Sequence, residues 1–363
     1  MHAKISRQAG IRTEILEKMD KLIQEKFVSE NERQTIIIKI NRYGKPIYEG
    51  IYGNNCKPEQ LSYDTLFCVQ SITKPIIATL LLILQEEGLV DVTDPVNFYL
   101  PEFDGDGREN IHLWHFLTHT SGYDASEFYS YMKNYRVSGE EWEEIAYKYV
   151  MSTPPQWKPH KTMSYFGMGF EIIKKIIEQE SGESIDEYAR KRLFAPLGMN
   201  DTHWIAPKDK WYRIIGRHKD SWSSEWLNSE ESYVNQSGAG GLKSTCDDML
   251  KYCEMVINEG IYDGVRVMSK ASIRAMVADH NETIEDEWEW GSWSLGWNYH
   301  GNKKDDSSIL RSKGAVCHNG GGATKIYVDK EEGLTMSLCS VNMNSSKINV
   351  IGRIINMLYA SLE

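Results

Sequence analysis

The stretch from residue 71 to residue 88 constrains the fold more than any other part of the sequence. It opens with Ser-Ile-Thr-Lys-Pro, continues as an almost unbroken apolar run to Leu84, and ends at Gly88. A segment that is apolar around its whole circumference, with proline in its first turn and glycine at its end, is typical of a helix buried between two layers of protein. We therefore expect a buried helix that begins at Ser71.

Ser71 and Lys74 lie one turn apart on the same face of this predicted helix. The first backbone N–H groups of a helix have no partner within it and favour negative charge, whereas desolvation and the dipole both disfavour an ammonium there. Lys74 is therefore predicted to lose its proton and to activate the Ser71 hydroxyl. The spacing alone is a weak signal, because residues 130–133 (Ser-Tyr-Met-Lys) share it without a long apolar helix behind them.

Composition narrows the class of protein. The chain has 363 residues, 41% hydrophobic and 26% charged, which suits one large domain or two interleaved ones. A net charge of −11 without a basic stripe argues against nucleic-acid and anionic-membrane partners. The first 19 residues are charged and amphipathic, unlike a signal peptide, and the apolar run at 75–84 is too short to span a bilayer. The sequence thus predicts a cytoplasmic protein.

Cysteine and histidine side chains are the residues of this sequence that could bind a metal ion or supply a reactive thiol. The six cysteines include no C-x-x-C pair and predict free thiols, with Cys317 a small strand-filling residue rather than a nucleophile. His112, His115 and His119 fall on one helical face, so a metal site is an alternative. No carboxylate is interleaved, and residues 118–122 are typical of a helix end. We therefore expect neither a metal nor an organic cofactor.

Hydrophobic periodicity predicts an α+β fold. Strands are predicted at 35–40, 45–52, 292–299, 314–318, 323–328 and 334–341. Helices are predicted at 13–28, 140–151, 170–180, 185–194, 246–258, 269–279 and 346–362, with 201–236 as loop. The natural topology is an antiparallel sheet of the first and last strands, flanked by the N- and C-terminal helices, with a mainly helical block inserted. In a single domain over 1–363, this gives an α/β subdomain at about 1–65 and 235–363 and a mainly helical subdomain at about 66–234.

From residue 67 to its last helix the chain resembles the serine β-lactamase and penicillin-binding protein superfamily. Within it, the nearest branch contains class C β-lactamases, family VIII carboxylesterases and D-amino-acid-specific peptidases. S-x-x-K is a signature of active-site serines in this superfamily. The segments that resemble the family, in family order, are 67–74, 88–103, 116–123, 165–182, 196–199, 238–249 and 318–322. The resemblance implies a β-lactamase/transpeptidase-like fold.

The resemblance also implies catalytic roles. Ser71 matches the nucleophile and Lys74 its lysine partner. Tyr165 matches the tyrosine of the Y-x-N element, which shares the proton transfer, and His318 opens the match to the K-T-G element. Gly321 would supply the second oxyanion-hole N–H beside that of Ser71. A tyrosine near two cations is expected to serve as a phenolate base, and paired N–H donors stabilise a tetrahedral oxyanion.

This sequence differs from the family pattern at two positions, and both differences bear on which substrate it would accept. Gly167 stands where β-lactamases have an asparagine, and His318 stands where they have a charged lysine that faces the β-lactam carboxylate. A neutral histidine attracts a carboxylate weakly, so the sequence favours an uncharged ester or amide. Gly167, Asn319 and Gly320 are predicted to contact the substrate.

Tryptophans precede the last strands. Trp288 and Trp290 are predicted to line a pocket for an apolar acyl or aryl group. Trp293, Leu295 and Trp297 alternate, which is typical of sheet core.

The sequence therefore predicts a serine hydrolase that acts through an acyl-enzyme on a small ester, amide or short peptide. Alternatives are a β-lactamase or penicillin-binding DD-peptidase, an acyltransferase of the same fold, and a catalytically silent scaffold or binding protein.

Overall fold

The structure, a computed structural model, joins the first and last strands of the chain in one antiparallel sheet. It describes residues 3–6, 10–28, 35–53, 61–135, 142–217, 223–284, 292–303, 307–341 and 350–363. The strands are β1 (Lys4–Ile5), β2 (Thr35–Arg42), β3 (Lys45–Gly53), β4 (Phe67–Cys68), β5 (Lys243–Ser244), β6 (Ile261–Tyr262), β7 (Val265–Arg266), β8 (Asn298–Tyr299), β9 (Val316–Gly320), β10 (Thr324–Asp329) and β11 (Leu334–Val341). Seven of them form the sheet β1-β3-β2-β11-β10-β9-β8, with every pairing antiparallel.

The described residues also form α-helices. The α-helices are α1 (Thr13–Leu22), α2 (Thr73–Glu86), α3 (Val96–Tyr99), α4 (Leu113–Leu117), α5 (Ala125–Tyr135), α6 (Trp142–Ser152), α7 (Gly169–Ser181), α8 (Ile185–Ala189), α9 (Ser224–Leu227), α10 (Glu230–Val234), α11 (Cys246–Ile257), α12 (Lys270–Met276) and α13 (Val350–Ala360). Short 3₁₀ turns occupy Gln70–Ile72, Arg108–Asn110 and Lys208–Arg213, and π-helical turns occupy Ile23–Val28 and Arg190–Phe194. The predicted α+β class and the predicted antiparallel sheet are confirmed.

Both faces of the sheet are covered, which explains the near-continuous apolar sequence of β2. Ile36, Ile38 and Ile40 face the cluster that contains the buried side chains of α1 and α13. Ile37 points to the opposite face, where α11 packs on β2, β10 and β11. Side chains alternate between the two faces of a strand, so each layer receives every second residue. The terminal helices therefore flank the sheet, as predicted.

Helix α2 lies inside the protein along most of its length. Every residue from Thr73 to Leu84 is buried, and α7 and α12 pack against the helix. The helix ends where Gly88 adopts a φ of 74°, a conformation that glycine reaches without a steric penalty. The predicted buried helix is confirmed, and it begins at Thr73, directly after the 3₁₀ turn that contains Ser71.

The predicted strand at 292–299 is mostly wrong. Only β8 is a strand there, because Gly296 has a φ of 77° and turns the chain towards α2. A Cβ on Gly296 would lie 2.9 Å from Cβ of Ala78 and 3.1 Å from the carbonyl oxygen of Lys74. The alternation of apolar side chains thus belongs to a turn packed on a helix. Residues 201–236, predicted as loop, contain a 3₁₀ turn, α9 and α10.

Among the described residues no helix combines the length and the apolar composition needed to cross a bilayer. The boundaries of the two subdomains stay a prediction. The described cysteines are free thiols, as predicted: Cys68, Cys246, Cys253, Cys317 and Cys339.

Thr245 caps helix α11, because its side-chain hydroxyl accepts a hydrogen bond from the backbone N–H of Asp248 at 3.2 Å. Replacing Thr245→Ala is expected to lower the free energy of unfolding by about 1 kcal/mol, since this N–H loses its acceptor. Thr245→Ser keeps the hydroxyl and should retain most of this stability. Urea unfolding followed by circular dichroism measures both, and equal midpoints for the two variants would contradict the capping role.

Candidate active site

Ser71 lies at the entrance to α2, in the 3₁₀ turn of residues 70–72. The preceding residue, Gln70, has a φ of 52°, in the left-handed region that non-glycine residues rarely adopt. The hydroxyl of Thr73 donates to the carbonyl of Gln70 at 2.7 Å and so stabilises this turn. Strained backbone of this kind is typical of functional sites when the surrounding structure holds it. The fold thus presents a half-buried Ser71 at the start of a rigid helix.

Lys74 contacts Ser71 from inside the protein. Its Nζ lies 3.2 Å from Oγ of Ser71 and donates to the carbonyl oxygen of Ala239 at 2.7 Å. The residue is 2% exposed, and this burial lowers the pKa of the amine from 10.5 to about 7. The carboxylate of Glu171 raises that pKa, but by less than burial lowers it. Near neutral pH the amine therefore has a lone pair available for the serine proton.

Glu171 orients the acceptor of this lysine. The carboxylate is buried and accepts hydrogen bonds from the hydroxyl of Ser237 at 2.5 Å and from the backbone N–H groups of Gly238 and Ala239 at 3.0 Å each. These bonds fix the turn whose Ala239 carbonyl receives Lys74. Sequence reasoning missed Glu171, although a carboxylate within the apolar face of a helix was a usable signal.

Tyr165 stands beside the serine as a neutral phenol. Its hydroxyl hydrogen-bonds to the side chain of Ser71, which lowers its pKa, but burial raises the pKa by more. The net pKa is above the ordinary value although the residue as a whole is 39% exposed. The expected phenolate is therefore not supported, since burial raises the pKa of this hydroxyl by more than the hydrogen bond with Ser71 lowers it. A neutral phenol next to the serine can accept a proton and donate one in the same step.

His119 clamps the chain on both sides of Tyr165. Its carbonyl oxygen accepts the N–H of Ser164 at 2.9 Å, and its Nδ1 accepts the N–H of Phe166 at 3.0 Å. The imidazole also packs on Tyr165, with 4.3 Å between ring centroids. To make both bonds, His119 adopts a φ of 59°. Burial and the neighbouring Lys74 hold its pKa well below the ordinary value, so the ring is neutral.

This placement separates His119 from the two histidines with which the sequence grouped it. Nδ1 of His115 accepts the backbone N–H of His112 at 2.9 Å, two residues whose rings lie edge to face. His115 therefore bonds to the backbone of His112, whereas His119 lies apart from both, beside Tyr165. Over the ranges that the structure describes, no three His, Cys, Asp or Glu side chains are arranged to hold a metal ion.

His318 lies on β9 and is also neutral. Its Nδ1 donates to the carbonyl of Asn319 at 2.9 Å, while burial and the charge of Lys74 lower its pKa to about 3. The residue is 2% exposed, and its ring lies 6.3 Å from that of Tyr165. The structure therefore brings His318 to the site but gives it no charge, in agreement with the sequence-based expectation.

The predicted glycines line the site. A Cβ on Gly167 would lie 3.6 Å from both Cε and Nζ of Lys74, so this residue covers the amine without offering it a hydrogen-bond partner. A Cβ on Gly320 would lie 2.1 Å from the carbonyl oxygen of Val69, so only glycine lets β9 approach the segment that carries Ser71. Asn319, which precedes Gly320 on β9, is exposed and available to a ligand.

Among the tryptophans that the structure describes, Trp293 lies at the site. Trp288 and Trp290, the predicted pocket residues, lie outside the described residues. Trp293 was predicted as sheet core, but the turn at Gly296 moves it to the active site. It is 4% exposed, and its indole lies 4.7, 5.7 and 5.5 Å from the rings of His119, Tyr165 and His318.

Comparison with known proteins shows which family and which solved structures this chain is similar to. The family model described as Beta-lactamase matches residues 19–351. Protein Rv1367c of Mycobacterium tuberculosis (strain ATCC 25618 / H37Rv) is 26% identical over 242 residues, which cover 60% of this chain and 60% of that protein's length. A penicillin-binding protein homologue from Caulobacter crescentus has a TM-score of 0.77 at 16% identity, with 100% of both chains covered. A family VIII carboxylesterase has a TM-score of 0.75 at 16% identity, also over 100% of both chains. At these identities the two solved structures show a shared fold.

The lowered pKa of Lys74 predicts how reactivity depends on pH. Labelling of Ser71 by a fluorophosphonate should accelerate as the pH rises through about 7, because only the neutral amine can take the serine proton. Below this value the rate should fall about tenfold per pH unit, since the ammonium form dominates. Second-order labelling rates between about pH 5 and 9 test this. A rate that climbs steadily to about pH 10, as for a solvated lysine, would contradict it.

The clamp on Tyr165 predicts different effects for two substitutions of His119. His119→Asn keeps an acceptor at the position of Nδ1 and tolerates the positive φ, whereas His119→Ala has neither property. Because Tyr165 is predicted to transfer protons rather than to bind substrate, the alanine variant should lose about tenfold or more in kcat with little change in KM. The asparagine variant should lose much less.

Turnover of one aryl ester measures both parameters, with active enzyme counted by fluorophosphonate titration. Equal losses in the two His119 variants would show that the hydrogen bond to Phe166 does not position Tyr165.

Proposed function

Since the chain belongs to the β-lactamase family, we propose that it is a serine hydrolase that cleaves an ester or amide through an acyl-enzyme on Ser71. The resemblance to serine β-lactamases and penicillin-binding proteins is thereby confirmed at the level of the family. The observation that carries the proposal is the 3.2 Å contact between Nζ of Lys74 and Oγ of Ser71 in a buried setting. An amine with a pKa of about 7 is the base that a serine nucleophile requires at neutral pH.

Acylation follows from these positions. Oγ of Ser71 attacks the carbonyl carbon while the neutral amine of Lys74 takes the hydroxyl proton. The resulting oxyanion receives the backbone N–H groups of Ser71 and Gly321, and each such donor typically contributes about 2.7–4 kcal/mol. When the intermediate collapses, the bond to the leaving group breaks and the lysine proton passes through the hydroxyl of Tyr165 to that group. Protons and charges balance, because the amine is neutral again.

Deacylation uses the same groups in reverse. A water takes the place of the leaving group, gives its proton through Tyr165 to Lys74, and attacks the acyl carbon. The new oxyanion is held by the same two N–H groups, and its collapse returns the proton to Ser71 and releases the acid. A phenol that remains neutral throughout serves as a proton relay in both halves.

Two features favour a plain ester or amide over a β-lactam. His318 carries no charge at neutral pH, so it does not attract the carboxylate that a β-lactam bears on its leaving-group side. Gly167 offers no side-chain amide to Lys74 or to the substrate. The structural neighbours include a family VIII carboxylesterase, which supports esters as the first substrates to test.

The nucleophile is tested with Ser71→Ala, against Ser130→Ala as the matched control. Ser130 belongs to the second S-x-x-K sequence but is exposed on α5, where its hydroxyl donates to the carbonyl of Ser126 at 3.0 Å. Loss of the nucleophile should reduce kcat on 4-nitrophenyl butyrate by roughly 10⁴-fold or more. Ser130→Ala should behave like the unmodified protein.

Peptide mapping after fluorophosphonate treatment gives an independent readout. The label should sit on Ser71 and disappear in Ser71→Ala. Turnover that survives this substitution, or a label on another residue, would refute the assignment. A protein that neither takes the label nor hydrolyses any activated ester would instead be a catalytically silent scaffold.

A further inference from the structure

Arg217 is a buried cation next to the active-site strand. The residue is 4% exposed, and its Nη2 donates to the carbonyl oxygen of Gly321 at 2.8 Å. Its backbone is held at both ends by Asn228, whose side-chain oxygen accepts the N–H of Arg217 at 2.7 Å and whose side-chain nitrogen donates to its carbonyl at 2.8 Å. The fold therefore holds the backbone of Arg217 through Asn228 and one end of its guanidinium through Gly321.

This guanidinium has few protein partners. It carries five N–H donors in a rigid fork, and the bond to Gly321 uses one of them. Burial lowers its pKa, and Cys68 is the one ionisable group that counteracts this, so within the described chain no carboxylate compensates the charge. Arginine stays protonated under these conditions. Buried charges are normally paired, and the described residues supply no anion to this fork, so it is available to an anionic group of a ligand.

Its contacts place the cation at the oxyanion end of the site. A Cβ on Gly322 would lie 2.7 Å from both Nη1 and Nη2 of Arg217, so the guanidinium packs on the turn that follows β9. The same turn begins at Gly320, which touches the carbonyl of Val69, two residues before Ser71. Arg217 thus lies one peptide away from the N–H of Gly321 that is proposed to hold the oxyanion.

The leaving group and the acyl group point in opposite directions from the attacked carbon. The leaving group must face the proton donors Lys74 and Tyr165, because it departs with a proton from them. The acyl chain then leaves on the side away from these donors, and in the arrangement inferred here it runs past Gly321, whose carbonyl contacts Arg217. A fork of N–H donors fits a carboxylate in two-point contact.

We propose that Arg217 binds a carboxylate on the acyl part of the substrate, so that the preferred substrates are half-esters or half-amides of dicarboxylic acids. From the reach of one peptide and one hydrogen bond, the carboxylate lies roughly four or five bonds from the carbonyl carbon. This inference rests on the proposed acyl-enzyme chemistry at Ser71. The neutral His318 and the charged Arg217 then divide the site into a leaving-group end without a permanent cation and an acyl end with one.

The test compares pairs of esters that differ in one charge. The mono-4-nitrophenyl esters of glutaric and adipic acid carry the carboxylate, and their methyl-capped counterparts do not. The ratio of kcat/KM within a pair is independent of how much folded enzyme is present, and Ser71→Ala gives the uncatalysed hydrolysis to subtract. The variants are Arg217→Gln, Arg217→Lys and, as the control, Lys208→Gln, which removes an exposed charge from the same segment.

We expect the unmodified protein to prefer the carboxylate ester by about 10- to 100-fold, as for a charge-assisted hydrogen bond in a buried site. Arg217→Gln should reduce the ratio to about one or below, Arg217→Lys should give an intermediate ratio because it keeps the charge without the fork, and Lys208→Gln should keep the full ratio. A ratio of one or below in the unmodified protein, or a ratio unchanged in Arg217→Gln, overturns the inference.

The experiment distinguishes failure of the role of Arg217 from failure of the acyl-enzyme chemistry at Ser71. If the methyl-capped esters are hydrolysed at Ser71 but the ratio shows no preference, the acyl-enzyme chemistry stands and the role of Arg217 is refuted. If neither ester of a pair is hydrolysed in a Ser71-dependent way, the proposed function fails and this inference fails with it.

Discussion

The chemistry available to this protein depends on the cost of burying the ammonium group of Lys74. The apolar helix α2 and the elements that pack around it keep water away from the amine, and its pKa falls from 10.5 to about 7. With water present the ordinary pKa would return, and the lysine would hold its proton too tightly to accept another from Ser71. The hydrophobic core therefore does more than stabilise the fold, because it sets the protonation state of Lys74.

The surroundings of Lys74 orient it without restoring its charge. Its hydrogen-bond partner is the carbonyl of Ala239, and the carboxylate of Glu171 bonds to the turn that carries this carbonyl. Glu171 also raises the pKa of the amine, but by less than burial lowers it. A carboxylate in direct contact would favour the ammonium much more strongly. The imidazoles of His119 and His318 are also neutral, so near pH 7 they change neither the charge of the site nor that of the base.

Much of the fold was predictable because its signals are local. The apolar run after Ser71, the hairpin of β2 and β3 and the cap at Thr245 each follow from a short sequence pattern. The prediction of a strand at 292–299 was mostly wrong because alternating side chains also fit a turn when Gly296 allows a positive φ. The family resemblance identified Ser71, Lys74, Tyr165 and His318 as candidates, and the structure brings these four side chains together.

The sequence by itself determined that a serine and a lysine occupy one face at the start of an apolar helix, since helical periodicity operates over a few residues. Only the tertiary structure decided what surrounds them. His119 reaches Phe166 across 47 positions of sequence and Arg217 reaches Gly321 across 104, and neither contact leaves a pattern in the sequence. Desolvation likewise depends on which distant elements pack together, so the protonation state of Lys74 and the buried charge of Arg217 are properties of the folded chain.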